Sequence, residues 1–460
     1  LLFARSTRPV NATELADTTL SVPTSVLDGS NPGVTVSGLR PNEVVRLHVL
    51  RSLDKWNEKG GTWQRVRQSL HAYADFTASA AVIVQVDTQA PVAGTYTHVD
   101  PLALLRTGYR FGDPALKGVH TFAEEPLASG PESRVWVKLE RDGKVAAEAT
   151  FELVDKAEGV EVAQMFGDGW HVVYARPAQG KNLPVVFSLY GSEGGSVEKA
   201  RGRAVPFASQ GFAAVGVNYF AYPREAIKGV PTEHAEIKLE ILASIREWLK
   251  SRPEVDANHI HLVGIAKGAE GALLAATRYD WISSVVEVVP SDVVWEGYSG
   301  GGGTWAARSS WSVGGTPVPF VPLFPFDPKQ EGLYRTNTER YARSREFHTD
   351  RVGQARIPVE PVKARILLLV SDRDEVWASG AMARNVVERL VAAGKSDYVE
   401  VKIYPKAGHQ LAGTGTFPVR LYGEQSPDPD AKDIVAEGEA SADAWRRTLR
   451  FLKKQSGSSS

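Results

Sequence analysis

Apolar positions along roughly the first 155 residues fall in short runs. Leu20–Val22, Gly33–Ser37, Val44–Leu50, Ala81–Val86, Thr95–Thr97, Ser133–Leu139 and Ala146–Val154 are mostly rich in Val, Thr and aromatics. Turn residues punctuate them at Asp28-Gly29, Asn31-Pro32-Gly33, Asn57–Gly61 and Asp142-Gly143. Short strands separated by such turns predict a β-sandwich. Asp100–Thr107 reads as a helical exception. The rhythm then changes. Val185–Leu189, Ala213–Val217, His261–Val263, Ser284–Val289 and Arg365–Val370 are apolar without alternation, as strands buried on both faces of a parallel sheet are. Between them, Thr232–Ser251 and Met382–Ala393 carry apolar residues at three- and four-residue spacing, which predicts amphipathic helices. Strand–helix alternation predicts an open α/β sheet with right-handed crossovers. The weakly patterned, polar Asp155–Glu161 sets the boundary: a sandwich over 1–158, an α/β domain over 159–455 and a tail over 456–460.

One segment, 292–356, breaks the rhythm. It holds Gly300–Gly303, the Pro-rich Pro317–Pro328 and the aromatics Trp295, Tyr298, Trp305, Trp311, Phe320, Phe324, Phe326, Tyr334 and Tyr341. Little in it predicts helix or strand. A lid or binding loop and a packed structural excursion both fit.

Composition narrows the function. With 53 basic and 54 acidic residues in 460, the formal net charge is −1, which disfavours nucleic-acid binding through bulk positive charge. No apolar run approaches the roughly 20 residues of a membrane span. Cysteine is absent. Disulfides, iron–sulfur clusters, cysteine zinc sites and a cysteine nucleophile go with it. The absence fits a cytoplasmic chain, or a periplasmic or secreted one after leader removal, and the start at Leu1 suits a mature or trimmed form. No metal motif occurs, and no cofactor is expected.

The most informative motif is Gly264-Ile265-Ala266-Lys267-Gly268, between the strand His261–Val263 and an Ala/Leu-rich helix at Ala269–Thr277. This is the setting of the strand–turn–helix nucleophile elbow, G-x-S-x-G. Its glycines let backbones press together around a strained central residue. That residue here is Ala266, which has no oxygen to attack a carbonyl. Asp374, within Ser371–Glu375, and His409, within Tyr404–His409, each follow an expected strand. Elbow, acid, histidine is the chain order of the α/β-hydrolases. Asp372 is the rival acid. Gly191 and Ser192 lie in the Gly-rich loop Tyr190–Gly195, where a backbone N–H could meet a substrate oxygen, with the Lys267 N–H as second donor.

At these residues the chain resembles the acyl-CoA thioesterase / bile acid-CoA:amino acid N-acyltransferase family. Thr35–Leu39, Pro41–Leu47, Gly61–Trp63, Ala72–Asp75 and Ala93–Tyr96 through Leu102 resemble its N-terminal part; Leu189–Gly195, Gly211–Tyr219, Gly264–Glu270, Asp374–Trp377, Tyr404–His409 and Asp443–Trp445 resemble its catalytic part. The resemblance implies an immunoglobulin-like β-sandwich followed by an α/β-hydrolase domain with helices on both sheet faces. It implies a serine-type acyl thioester or ester hydrolase or acyltransferase working through an acyl-enzyme. The substrate would be a small-molecule thioester or ester, possible forms including coenzyme A thioesters. It places acid and base at Asp374 and His409, which favours Asp374 over Asp372. It places the nucleophile, serine or cysteine in the family, at Ala266, and the oxyanion donors at Gly191–Glu193 and Lys267. The aromatics Trp295, Trp305, Trp311, Phe320 and Phe324 would then hold the acyl group in an apolar pocket. The intact relay around Ala266 favours an engineered serine-to-alanine change over a natural pseudoenzyme that binds acyl ligands. A carboxylesterase or peptidase of the same fold is a further alternative.

Overall fold

A computed structural model describes residues 17–59, 62–120, 122, 130–299, 304–324 and 337–457. The side chains of Trp63 and Trp305 lie outside that description, as do residues 300–303, 325–336 and 458–460. The chain forms two compact units, one built around Ser30–Leu153 and the other around Val154–Val419.

The second unit carries one eight-stranded sheet. Its strands are β1 (Val160–Gly167), β2 (Trp170–Pro177), β3 (Leu183–Leu189), β4 (Ala213–Asn218), β5 (Val255–Ile265), β6 (Ile282–Val288), β7 (Arg365–Ser371) and β8 (Val399–Tyr404). Their spatial order is β1-β2-β4-β3-β5-β6-β7-β8. β2 runs antiparallel to both β1 and β4, and every pair from β4 to β8 is parallel. The apolar runs of the sequence are these central strands, buried on both faces. Helices α1 (Val197–Ala208), α2 (Ile241–Lys250), α3 (Lys267–Ala276), α4 (Ser379–Ala392) and α5 (Ile434–Gln455) cover the sheet. One core cluster packs α2, α3 and α4 against Val185, Phe187, Leu262, Val285, Ile366 and Leu368. The other packs α1 and α5 against Val186, Val263, Val286, Leu367 and Leu369. Alternate residues of one strand thus feed opposite layers. This is the α/β-hydrolase architecture.

Three expectations need correction. β1 and β2 belong to this sheet, although their sequence did not suggest strands. β1 is an edge strand with mostly exposed side chains, so it lacks the apolar run of its neighbours. The helix expected over Thr232–Ser251 is confined to α2, because Ile237 and Lys238 instead pair in parallel with Trp311 and Ser312. The 292–356 segment is also more regular than expected. It contains strands Glu296–Ser299, Thr304–Ser309, Trp311–Val313 and Thr316–Pro317, and helices Asn337–Phe347 and Thr349–Ala355. These strands are at most six residues long and pair mainly with one another, too short for a period to emerge.

The first unit holds two sheets, of three and seven strands. Val44–Lys59 and Thr62–Thr77 pair antiparallel over 16 residues a side, and the expected turn residues Gly60 and Gly61 lie outside the described residues. The polar distal half of this pair hid its length in the sequence. Arg134–Arg141 pairs antiparallel with Val44–Lys59 on the other side.

Two histidines are sealed inside this unit. His48 Nδ1 and His71 Nε2 share a hydrogen bond of 2.9 Å, and His48 Nε2 meets Glu140 at 3.1 Å. Burial pushes His48 down to about 2 and His71 down to about 3, with His71 adding to the shift of His48 and His120 to that of His71. Both therefore bind protons more weakly folded than unfolded. The unfolded chain takes up the excess, so stability falls as pH descends from about 6.5 toward 3. An NMR titration of the imidazoles should find the rings of His48 and His71 still neutral at about pH 5. If those two rings titrate near the ordinary histidine value, the pair is not an acid-sensitive element.

Candidate active site

The parallel strands end on one edge, and the predicted site residues follow those ends. Gly191 comes two residues after β3, Ala266 one after β5, Asp374 three after β7 and His409 five after β8. In open α/β sheets this carboxyl edge is where ligands bind.

The elbow is strained as its motif requires. Ala266 has φ 51° and ψ −115°, a region alanine rarely enters. The turn is pinned from both sides. The Ala266 N–H donates to the Val288 carbonyl at 3.0 Å, and the Glu270 N–H donates to the Ala266 carbonyl at 3.0 Å. The flanking glycines permit this packing. A Cβ on Gly264 would stand 2.5 Å from the Ala269 Cα, and one on Gly268 would stand 2.3 Å from the Tyr190 carbonyl oxygen. A Cβ on Gly191 would lie 3.2 Å from the Ala266 methyl, so the Gly-rich loop and the elbow are neighbours. Among the described residues, no carbonyl takes the Ser192 or Lys267 N–H. Lys267 opens α3, where the first N–H groups lack helical partners and the helix dipole favours negative charge.

The acid and the histidine are in contact. His409 Nδ1 and Asp374 Oδ1 lie 2.8 Å apart. Asp374 is buried. Its carboxylate also accepts from the Val376 N–H at 3.0 Å, the Trp377 N–H at 3.1 Å and the Ser379 hydroxyl at 2.6 Å. These donors hold it in one orientation. Asp372 instead pairs with Arg384 at 3.2 Å. The His409 N–H donates to Glu375 at 3.0 Å, and the Trp377 ring packs edge-on to the imidazole. Trp377 in turn contacts Tyr341, which contacts Trp295.

The side chain of Lys267 has a role the sequence did not suggest. It is buried, and its ammonium donates to both oxygens of Glu270 at 2.9 and 2.8 Å. Trp311 Nε1 donates to the same carboxylate at 3.0 Å. Burial pulls Lys267 down and Glu270 up, and their mutual attraction opposes both. Glu296, beside Trp295, accepts from the Ala307 and Leu323 N–H groups at 2.8 Å each. The elbow helix and the 292–356 segment therefore share a polar core. The only hint in the sequence was the three-residue spacing of Lys267 and Glu270, which puts them on one helix face.

The aromatic candidates separate. Trp295 and Trp311 are fully buried in the two core clusters. Phe320 and Phe324 are half-buried, and Phe324 packs edge-on to Phe347. Trp305 lies on the strand Thr304–Ser309. No helix among the described residues is long and apolar enough to cross a membrane.

Two family models match the chain. Residues 31–163 match the acyl-CoA thioester hydrolase/BAAT N-terminal region, and residues 237–458 match the BAAT / acyl-CoA thioester hydrolase C-terminal region. Acyl-coenzyme A amino acid N-acyltransferase 1 of Mus musculus is 24% identical over 464 residues, spanning 95% of this chain and 98% of that protein. The mitochondrial acyl-coenzyme A thioesterase 2 of Mus musculus is 25% identical over 460 residues, spanning 93% and 86%. Among solved structures, an esterase of Pyrobaculum calidifontis aligns with 65% of this chain and 86% of its own at 16% identity and a TM-score of 0.38.

The buried pair makes a testable demand. Lys267→Met leaves Glu270 buried without its cation and should cost roughly 3–5 kcal/mol, read from urea denaturation by tryptophan fluorescence. Adding Glu270→Gln should recover part of that loss. Unchanged stability in Lys267→Met would mean that the pair does not hold this segment.

Proposed function

The chain belongs to the acyl-CoA thioester hydrolase/BAAT family, and from that premise we propose that its second unit is the apparatus of an acyl thioester or ester hydrolase or acyltransferase, lacking its nucleophile. The observation that carries this is the hydrogen-bonded His409–Asp374 pair on the sheet edge that also presents the strained elbow at Ala266.

With serine at 266, each step has a group to perform it. His409 Nε2 takes the hydroxyl proton while Nδ1 holds its bond to Asp374. The oxygen attacks the acyl carbon, and the carbonyl electron pair moves onto its oxygen. The Lys267 N–H and the Gly191–Ser192 side of the loop hold that oxyanion. As the tetrahedral intermediate collapses, the bond to the thiol or alcohol breaks and His409 returns the proton to the leaving group. Water, or an acceptor amine, then releases the acyl group by the reverse sequence. Which acceptor reaches the acyl-enzyme decides between hydrolysis and transfer. The 292–356 segment would enclose the acyl chain, with Phe320 and Phe324 as the half-buried aromatics free to contribute. We read the two sheets of the first unit as an immunoglobulin-like sandwich, the N-terminal module of the family.

As written, the chain has a methyl group where the nucleophile belongs, so it should bind acyl substrates without an acyl-enzyme. The intact relay favours alanine in place of an active parent's serine. A second reading rests on Ala266 itself: a natural acyl-ligand binder in which alanine is the native residue.

Ala266→Ser should generate hydrolysis of p-nitrophenyl acyl esters or acyl-CoA thioesters, with a pre-steady-state burst and a mass adduct on residue 266. His409→Ala in that background should lower kcat by about a thousandfold or more and remove the burst. A restored serine inert toward esters and thioesters alike would support the binder and sink the hydrolase.

A further inference from the structure

The loop expected to hold the oxyanion is itself held by a tyrosine outside it. The Tyr222 hydroxyl donates to the Ser192 carbonyl at 2.8 Å. Its ring packs on the same loop, since a Cβ on Gly194 would lie 2.7 Å from Tyr222 Cδ2. Tyr222 is buried, and Phe220 packs edge-on to it. Burial pushes its phenol up to about 12, so near neutral pH the group remains a donor. Both ends of the loop are anchored separately, because the Tyr219 hydroxyl donates to the Tyr190 carbonyl and the Gly195 N–H donates to the Phe220 carbonyl. Lys199 donates to the Glu193 and Gly194 carbonyls at 3.3 and 3.2 Å from the outer side. Ser192 lies between these anchors, and Tyr222 alone among these groups holds its carbonyl.

We propose that Tyr222 is a positioning residue for the oxyanion loop, limiting the freedom of the peptide planes that aim its N–H groups at the substrate oxygen. The physical reason is the rigidity of the peptide unit. The carbonyl and the following N–H of a trans peptide point in opposite directions. Holding the Ser192 carbonyl therefore fixes the one plane that carries the Glu193 N–H, and it limits the loop's freedom on the C-terminal side of Ser192. A loop containing Gly191, Gly194 and Gly195 has little torsional resistance of its own. A donor aimed in advance costs no reorganisation when charge develops. The inserted segment reaches the same point. Tyr298, hydrogen-bonded to the Tyr341 hydroxyl at 2.9 Å, neighbours both the Ser192 hydroxyl and Tyr222.

This role rests on the hydrolase reading for its catalytic consequence but not for its structural one, and the test separates the two. Tyr222→Phe removes one hydroxyl and keeps the ring on Gly194. In the chain with Ala266, hydrogen exchange of the 190–196 segment should quicken by about tenfold while the rest of the sheet keeps its protection. Unchanged exchange there overturns the clamp, whatever the enzyme does. In the Ala266→Ser background the same change should lower kcat by about ten- to hundredfold with KM little altered. It should weaken a trifluoromethyl ketone analogue of the tetrahedral intermediate by a similar factor. An equal loss of substrate and analogue binding, or an unaltered kcat in an active Ala266→Ser enzyme, overturns the positioning role. If Ala266→Ser is inert, the hydrolase reading fails and the exchange result still decides whether Tyr222 holds the loop.

Discussion

The site depends on one close approach, that of the elbow helix to the end of β3. A Cβ on Gly268 would sit 2.3 Å from the Tyr190 carbonyl oxygen and 2.6 Å from that of Leu189, so only glycine allows α3 to begin where it does. That contact brings Ala266 beside Gly191, although 75 positions separate them in sequence (266 − 191). It also places the open N-terminus of α3 beside the Gly-rich loop, so two sets of free N–H groups converge. A side chain at 268 would lift the helix and separate them, even with every polar residue of the site retained.

The same helix organises the segment over the sheet. Gly271 faces Trp311 so closely that a Cβ would stand 2.3 Å from its ring. Trp311 then donates to Glu270, and Glu270 neutralises Lys267. The turn from Ala266 into α3 therefore supplies the strained residue, the proposed oxyanion donor and the polar anchor of the 292–356 segment. Burying that ion pair gains little net stability against its desolvation. Its effect is directional: it requires Trp295, Glu296 and Trp311 to come to this helix and to no other surface.

Much of the second unit was legible because its strands are apolar on both faces and its turns carry glycine. The elbow could be recognised from five residues, since each glycine answers a steric demand present wherever a strand turns sharply into a helix. Asp374 and His409 could be placed because each closely follows a strand, but the sequence alone left Asp372 open. Asp374 is the one that meets His409, and three donors, Val376, Trp377 and Ser379, converge on its carboxylate. No pattern announces such convergence. The roles of Tyr222 and Tyr298 were illegible for the same reason, since a hydroxyl meeting a carbonyl or another hydroxyl 30 or 43 positions away leaves no periodic trace. In the 292–356 segment the short strands pair locally, and its tryptophans suggested a pocket where Trp295 and Trp311 are packed core.

The framework does not require the nucleophile in order to persist. In the proposed mechanism a serine hydroxyl would add one hydrogen bond to His409, a net contribution of about 1 kcal/mol. The geometry is held instead by the glycine contacts, the bonds of Ala266 to Val288 and Glu270, and the donors around Asp374. Alanine keeps the Cβ and the positive φ of the turn. Glycine would have relieved the strain at that position, where a backbone cost of order 1–3 kcal/mol persists only if the surroundings impose it. The strain in this chain is therefore a property of the turn, imposed whether or not residue 266 can react. A change at 266 between alanine and serine alters the chemistry of the site while leaving its architecture in place.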